Sequence, residues 1–345
     1  MGNLKVLSLF SGIGAFEKAL DNIDVDFDLV GYSEIDSKAS KAYAAIHGVS
    51  ENLNLGDVCL IDETKLPDFD IMTWGFPCTN FSNATRDKVH NRRGLENSES
   101  GLYFEGIRIL KEKKPYISII ENVPDLVSDK FKEQFSLILN DLEEANYTTS
   151  FAVLNGSDFN LPQNRKRVFV VSIRNDIYQG FDFPTPVPLI RKVKDFLEDD
   201  EYIDDKYKRV NPVIIDKIMS RRIYNKDICS TITKAIGRAG SSSEYISNCA
   251  VIYQNTGCIR RMTPKETMLL TGFDEQDYIK AKQVSSDTNI FNFSGNSICV
   301  TVLEHLFEKL LLDYNYKEKI LSKRTAQEDY MINLLPNNQL MFKLD

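Results

Sequence analysis

Three short stretches of this 345-residue chain carry side chains that can do covalent or acid-base chemistry. Gly75-Phe-Pro77-Cys78 follows the apolar run Ile71–Trp74. Its thiol therefore emerges at the carboxyl edge of a sheet, where open α/β folds bind ligands. A free thiol is only slightly ionised at neutral pH, yet its thiolate is a strong nucleophile. An inert core cysteine is the ordinary alternative. Against it stand the preceding proline and the long polar stretch Thr79–Ser100, with Arg86, Lys88, Arg92, Arg93 and Gly94, which reads as a mobile lid. Glu121 closes the run Ile117-Ser-Ile-Ile-Glu121 at the same edge. Partial burial there would raise its pKa and let it hold a proton near neutrality, whereas a capping or loop carboxylate would do nothing. Gln163-Asn-Arg165-Lys-Arg167 leads into Val168-Phe-Val-Val-Ser172. Alternate residues of a strand share a face, so Arg165 and Arg167, with Gln163, would offer two guanidiniums to a phosphate or a base carbonyl. An exposed basic turn is the plainer reading.

A second group of residues suits a cofactor. Phe10-Ser-Gly12-Ile-Gly14 falls at a strand-to-helix turn, where glycines permit a tight bend and close approach of a ligand. Glu34, twenty residues on, ends the next strand and can accept from ribose hydroxyls; Asp57 of Gly56-Asp-Val58 can accept from an adenine amine at the end of a third strand. Glu17 replaces the last glycine of the dinucleotide fingerprint. That favours a nucleoside cofactor without a pyrophosphate over a nicotinamide dinucleotide.

These residues must be held by a sheet covered with helices. Strands are expected at Lys5–Phe10, Asp28–Ser33, Ile71–Phe76, Ile117–Asn122, Thr149–Asn155 and Val168–Ile173. Helices are expected at Ala15–Leu20, Ser37–His47, Leu102–Lys113 and Lys130–Glu144, then after the Thr263 cap and over Thr301–Leu312. The proline-rich stretch Phe181–Pro188 reads as a linker. Residues 1–182, completed by about 275–314, would form one domain, residues 187–262 a second, and residues 315–345 an extension without an assigned role.

Composition narrows the classes. The chain is 42% hydrophobic and 27% charged, as a globular protein is. No apolar run is long enough to span a membrane and no secretory leader is evident, so a cytosolic protein is expected. Six scattered cysteines and three separated histidines argue against a disulfide framework or a metal centre. The net charge of −8 taken alone disfavours nucleic acid. Locally the sign reverses: Lys206–Gly240 holds nine basic residues, among them Arg221, Arg222 and Arg238, against Asp216 and Asp227. This is either a solvated face or a platform for phosphates.

In this order, Phe10-Ser-Gly-Ile-Gly14, Glu34, Gly56-Asp57, Gly75-Phe-Pro-Cys78, Glu121-Asn-Val123, Gln163-Asn-Arg-Lys-Arg167 and Gly295-Asn-Ser297 resemble the DNA (cytosine-5)-methyltransferase family of bacterial and phage restriction-modification systems. The match covers about residues 4–175 and 260–312. The resemblance implies an α/β, Rossmann-like methyltransferase domain with a mixed, mostly parallel sheet, and a smaller loop-rich target-recognition domain. It implies S-adenosyl-L-methionine bound by Phe10, Gly12, Gly14, Glu34 on the ribose, Ile35, Asp57 on the adenine, Val58, Pro77, Asn296 and Ser297, with S-adenosyl-L-homocysteine as product. It implies a cytosine flipped out of double-stranded DNA. Cys78 would add to carbon 6, Glu121 would hold ring nitrogen 3 and the exocyclic amine, and Arg165 would meet the carbonyl with Arg167 in support. Thr231-Ile232 resembles a Thr-Leu pair of the recognition domain, which implies that Ser230–Gly240, with Arg238, reaches DNA alongside Arg221 and Arg222. Thr79 stands where many relatives have glutamine, and the short recognition region suggests a single small site. A monomer without metal is expected in the cytoplasm at the nucleoid, either solitary or paired with an endonuclease. The branch that methylates transfer RNA and a catalytically silent DNA binder are the alternatives.

Overall fold

The apolar runs at Leu4–Leu9, Ile71–Trp74, Ile117–Asn122 and Lys166–Arg174 form the middle of one sheet and are buried on both faces, while its edges are partly exposed. The protein, seen in a computed structural model, is described over residues 2–77, 101–208, 215–216, 219–220, 226–237, 251–253 and 259–334. Strands β1 (Leu4–Leu9), β2 (Phe27–Ser33), β3 (Ile71–Trp74) and β4 (Ile117–Asn122) are joined by β5 (Tyr147–Asn155) and β7 (Lys166–Arg174) in the order β2-β1-β3-β4-β7-β5. The two-residue strand β6 (Gln163–Asn164) stands outside this sheet. β1 to β4 are parallel. β7 runs antiparallel to β4 and β5, pairing Asn122 with Val168. Consequently the start of β7, with the arginines that precede and open it, reaches the same edge as the carboxyl ends of β1 to β4.

Helices α1 (Ala15–Asn22), α2 (Ser37–His47), α3 (Leu102–Lys113) and α4 (Lys132–Glu144) connect the strands. Their ends have local causes. Asp36 Oδ1 accepts from the Lys38 amide at the start of α2, and Gly48 ends it at φ +65°. The sheet separates two apolar cores, one centred on Trp74, Tyr103 and Leu110, the other on Leu20, Ile71 and Leu303. The single tryptophan donates from Nε1 to Ser118 Oγ at 2.9 Å, so its buried polar group is satisfied.

The chain after Ile259 returns to this framework. Thr263 and Glu266 form a capping box for the helix Pro264–Leu269, which follows from the sequence. Two further helices, Glu275–Val284 and Asp287–Asn296, were not expected. The expected helix at Thr301–Leu312 is Val300–Phe307 followed by a wider π-helical turn, Glu308–Asp313. The extension forms the helix Tyr316–Leu334. It straps the amino ends of the strands: Arg324 Nη1 meets Asp70 Oδ2 at 2.7 Å, its Nη2 donates to Asn3 O at 3.0 Å, and Tyr116 donates to Gln327 Oε1 at 3.0 Å. Among the described residues, no helix is long and apolar enough to cross a membrane.

Part of the basic region is also anchored. Cys229–Ser230 pairs in parallel with β6, and Ile259–Arg261 pairs antiparallel with Val251–Tyr253. Arg260 is buried in a bidentate contact with Glu266, at 2.9 and 2.8 Å, and reaches Asp200 at 2.8 Å.

Candidate active site

A cavity of about 800 Å³ opens at the carboxyl edge. One wall is the turn after β1, where Phe10, Gly12 and Gly14 take φ of +55°, +58° and +81°. Glu34 holds this turn from the end of β2. Its Oε2 accepts from the Gly12 amide at 2.9 Å and its Oε1 from the Asp36 amide at 2.7 Å. Burial raises the Glu34 pKa despite these bonds. Asn54, a residue that sequence reasoning missed, fixes Glu34 in turn. It accepts from the Glu34 amide at 3.1 Å and donates to the Glu34 carbonyl at 2.9 Å. Nothing in its local pattern signals this, because the contact crosses twenty residues.

Asp57, Val58 and Ile35 also line the cavity, with Ile35 77% exposed. Asp57 corrects an expectation. It does not end a third strand but caps the 3-10 turn Val58–Leu60, accepting from the Cys59 amide at 3.0 Å. The expected strand is reduced to a single bridge between Tyr32 and Asn54. Gly14 is packed from behind by His47 and Tyr43. A Cβ there would lie 2.1 Å from His47 Nε2 and 2.8 Å from the Tyr43 ring. His47 Nε2 in turn sits 3.0 Å from the Ile13 carbonyl oxygen.

The opposite wall carries the acid-base groups. Pro77 lines it, while Cys78 lies outside the described residues, as do Arg221, Arg222 and Arg238. The loop reaching Cys78 is tied to β4, because Asn122 Nδ2 donates to Phe76 O at 3.1 Å. Glu121 pairs with Arg167, Oε1 to Nε at 2.8 Å. Burial drives the Glu121 pKa up, and the nearby Arg167 and Arg165 only partly offset it.

The two arginines divide their work, contrary to the shared-face expectation. Arg165 falls between β6 and β7, is 2% exposed, and donates from Nη1 to Ile232 O at 2.9 Å and from Nη2 to Gly295 O at 3.1 Å. Burial lowers its pKa to about 10, with Arg167 adding to the effect. Behind it lies Cys299, whose thiol burial pushes up to about 11. At neutral pH Cys299 is thus a neutral, shielded thiol.

The expected DNA contact Ile232 is also corrected. Its side chain is buried, its amide donates to Gln163 Oε1 at 3.0 Å and its carbonyl is taken by Arg165. Thr231 Oγ1 donates to Asn164 O at 2.6 Å. The pair therefore seats residues 231–232 against Gln163–Arg165, with the Ile232 side chain turned inward. Asn296 and Ser297 line the cavity at the end of Asp287–Asn296, joined by the unexpected Asn292, Phe293 and Lys234. Among the described residues, no group of three or more His, Cys, Asp or Glu side chains is arranged to hold a metal ion.

A carboxyl group and two guanidiniums thus face a cofactor-type turn across one cavity. The model of the C-5 cytosine-specific DNA methylase family matches residues 4–312. The chain belongs to that family. It is 30% identical to the orphan methyltransferase M.SPRI of Bacillus phage SPR, over 92% of this chain and all of that protein. It is 32% identical to the type II methyltransferase M.Bsp6I of Bacillus sp. (strain RFL6), over 89% of this chain and 98% of the relative. Among solved structures, that of the S. pombe Dnmt2 methyltransferase aligns with a TM-score of 0.69 at 20% identity, over 91% of this chain and all of that one. This last likeness speaks to the fold alone. The protein is a DNA cytosine-5-methyltransferase of restriction-modification type.

Proposed function

We propose that this methyltransferase acts on a cytosine flipped out of a short specific site in double-stranded DNA, through a covalent adduct with Cys78. The observation that carries the reading is the convergence of Glu121, Arg165 and Arg167 on the cavity that the Phe10–Gly14 turn and Glu34 enclose, beside Pro77. S-adenosyl-L-methionine supplies the methyl group when bound. The residues suit it: Glu34 keeps lone pairs beyond the two it gives to amides, Asp57 faces the cavity, and exposed Ile35 offers an apolar surface for a flat base. Asn296 and Ser297 close the same wall.

Cys78 thiolate forms a bond to carbon 6 of the ring. Glu121, whose pKa burial raises, shares a proton with ring nitrogen 3 as charge builds there and accepts from the exocyclic amine. Carbon 5 gains the electron pair and takes the methyl group. Loss of the carbon-5 proton to a base, with expulsion of Cys78, restores the ring. Arg165 meets the cytosine carbonyl, and Arg167 holds Glu121. Residues 187–262 read the site and residues 1–182 with about 275–314 carry the chemistry, in a cytoplasmic monomer that is solitary or shares its site with an endonuclease.

Bisulfite sequencing of plasmid DNA from cells expressing the chain tests this, beside a Cys78→Ala control. A recurrent short motif protected only by the wild type is the expected result. Protection that survives Cys78→Ala removes the nucleophile. Unprotected DNA from folded protein turns attention to transfer RNA.

A further inference from the structure

The cavity also holds a cation that the reaction above leaves without a task. Lys234 lines it with an exposed side chain and opens the 3-10 turn Lys234–Gly237. Its backbone is fixed at a close contact with the cofactor wall. A Cβ on Gly295 would lie 2.4 Å from Lys234 N and 2.7 Å from the Thr233 carbonyl carbon, so only glycine lets the two main chains meet. Arg165 bridges the same two segments, through Ile232 O and Gly295 O. The stem of Lys234 therefore starts from a rigid point.

Each carboxylate of the cavity has a partner other than Lys234. Glu121 has Arg167, Glu34 has the amides of Gly12 and Asp36, Asp36 has the Lys38 amide, and Asp57 has the Cys59 amide. We propose that Lys234 binds an oxyanion at the mouth of the cavity, the phosphodiester beside the flipped cytosine. This rests on the base-flipping reading above. A base that enters the cavity leaves its sugar-phosphate at the rim, where a flexible four-carbon stem with a compact charge suits a phosphate. The other oxyanion within the same chemistry is the carboxylate of the cofactor.

The test uses the full-length chain, S-adenosyl-L-homocysteine, and a duplex bearing the site found by bisulfite sequencing. Loss of one phosphate contact lowers the slope of log affinity against log salt by about 0.9, so the affinity gap between wild type and Lys234→Met should shrink about 3.5-fold between 50 and 200 mM salt. Affinity for S-adenosyl-L-homocysteine alone should stay unchanged, and Lys234→Arg should restore the slope. A Lys234→Met slope equal to that of the wild type overturns the proposal. If cofactor affinity falls instead, the anion is the carboxylate. Wild-type protein that leaves plasmid cytosines unmethylated removes the reading beneath, and the proposal with it.

Discussion

Gly14→Ala offers a direct measure of how the cofactor turn is supported from behind. The new methyl group meets two separate costs. The backbone at φ +81° is left-handed, which costs a non-glycine residue about 1–2 kcal/mol. The Cβ would also fall 2.1 Å from His47 Nε2 and 2.8 Å from both His47 Cδ2 and the Tyr43 ring, an overpacking worth about 1–3 kcal/mol. Together the variant should lose about 2–5 kcal/mol of stability in urea unfolding. The two costs separate in a double-variant cycle. His47→Ala removes the nearest obstruction and leaves φ alone, so Gly14→Ala in that background should cost the backbone part and the smaller overpacking against the Tyr43 ring, 2.8 Å away. The coupling should therefore approach, without exceeding, about 1–3 kcal/mol, above the roughly 0.5 kcal/mol scatter of independent sites. Additive losses would refute the claim that His47 limits residue 14.

Two further outcomes are expected. Gln163→Leu should destabilise the protein by about 1–3 kcal/mol for each partner left unsatisfied, because Gln163 both accepts from the Ile232 amide and donates to Leu270 O at 2.7 Å; an unchanged urea midpoint would mean that both groups find new partners. Burial pushes the Asp287 carboxyl up, but hydrogen bonds from Lys206, Lys282 and Tyr207 more than offset it and hold its pKa well below the usual range. A depressed folded-state pKa stabilises above the unfolded value and is lost as pH falls below about 4, so Asp287→Asn should flatten the acid limb of a stability-pH curve; a limb as steep as that of the wild type would exclude this carboxylate.

What could be read in the sequence follows the range of the forces involved. The bounds of α2, α3 and β4 match expectation because their causes are local: the Asp36 cap, Gly48 at the end of α2, Lys114 at φ +49° before Pro115, and the run Ile117–Ile120. The helix Asp287–Asn296 was missed because its Asn, Ser and Gly residues weaken local propensity; it is held by burying Ile290, Phe291 and Phe293. The helix Tyr316–Leu334 was illegible for a similar reason, since Arg324 finds Asp70 from 254 residues away. Ordered motif blocks located Glu34, Glu121 and the arginines at the cavity. Their partners, Asn54 and Ile232, carried no signal, because a hydrogen bond that closes only in three dimensions leaves none in local spacing.

The division between Arg165 and Arg167 bears on how recognition and chemistry communicate. A strand-face argument makes the two residues equivalent donors. In the folded protein, Arg167 Nε is taken by Glu121, while Arg165 spends its two terminal nitrogens on the carbonyls of Ile232 and Gly295. Among the described residues, its Nε is buried without a hydrogen-bond partner. An orphaned buried donor costs about 1–3 kcal/mol, which a ligand carbonyl can recover. The residue proposed to meet the cytosine carbonyl thus has a donor to spare, and Arg167 does not have its Nε to give. On the proposed function, any shift of Ile232 as residues 187–262 engage DNA would pull on the same guanidinium that touches Gly295, one residue from Asn296. Arg165 would then tie site reading, base handling and cofactor binding into one unit, stiffened by its burial.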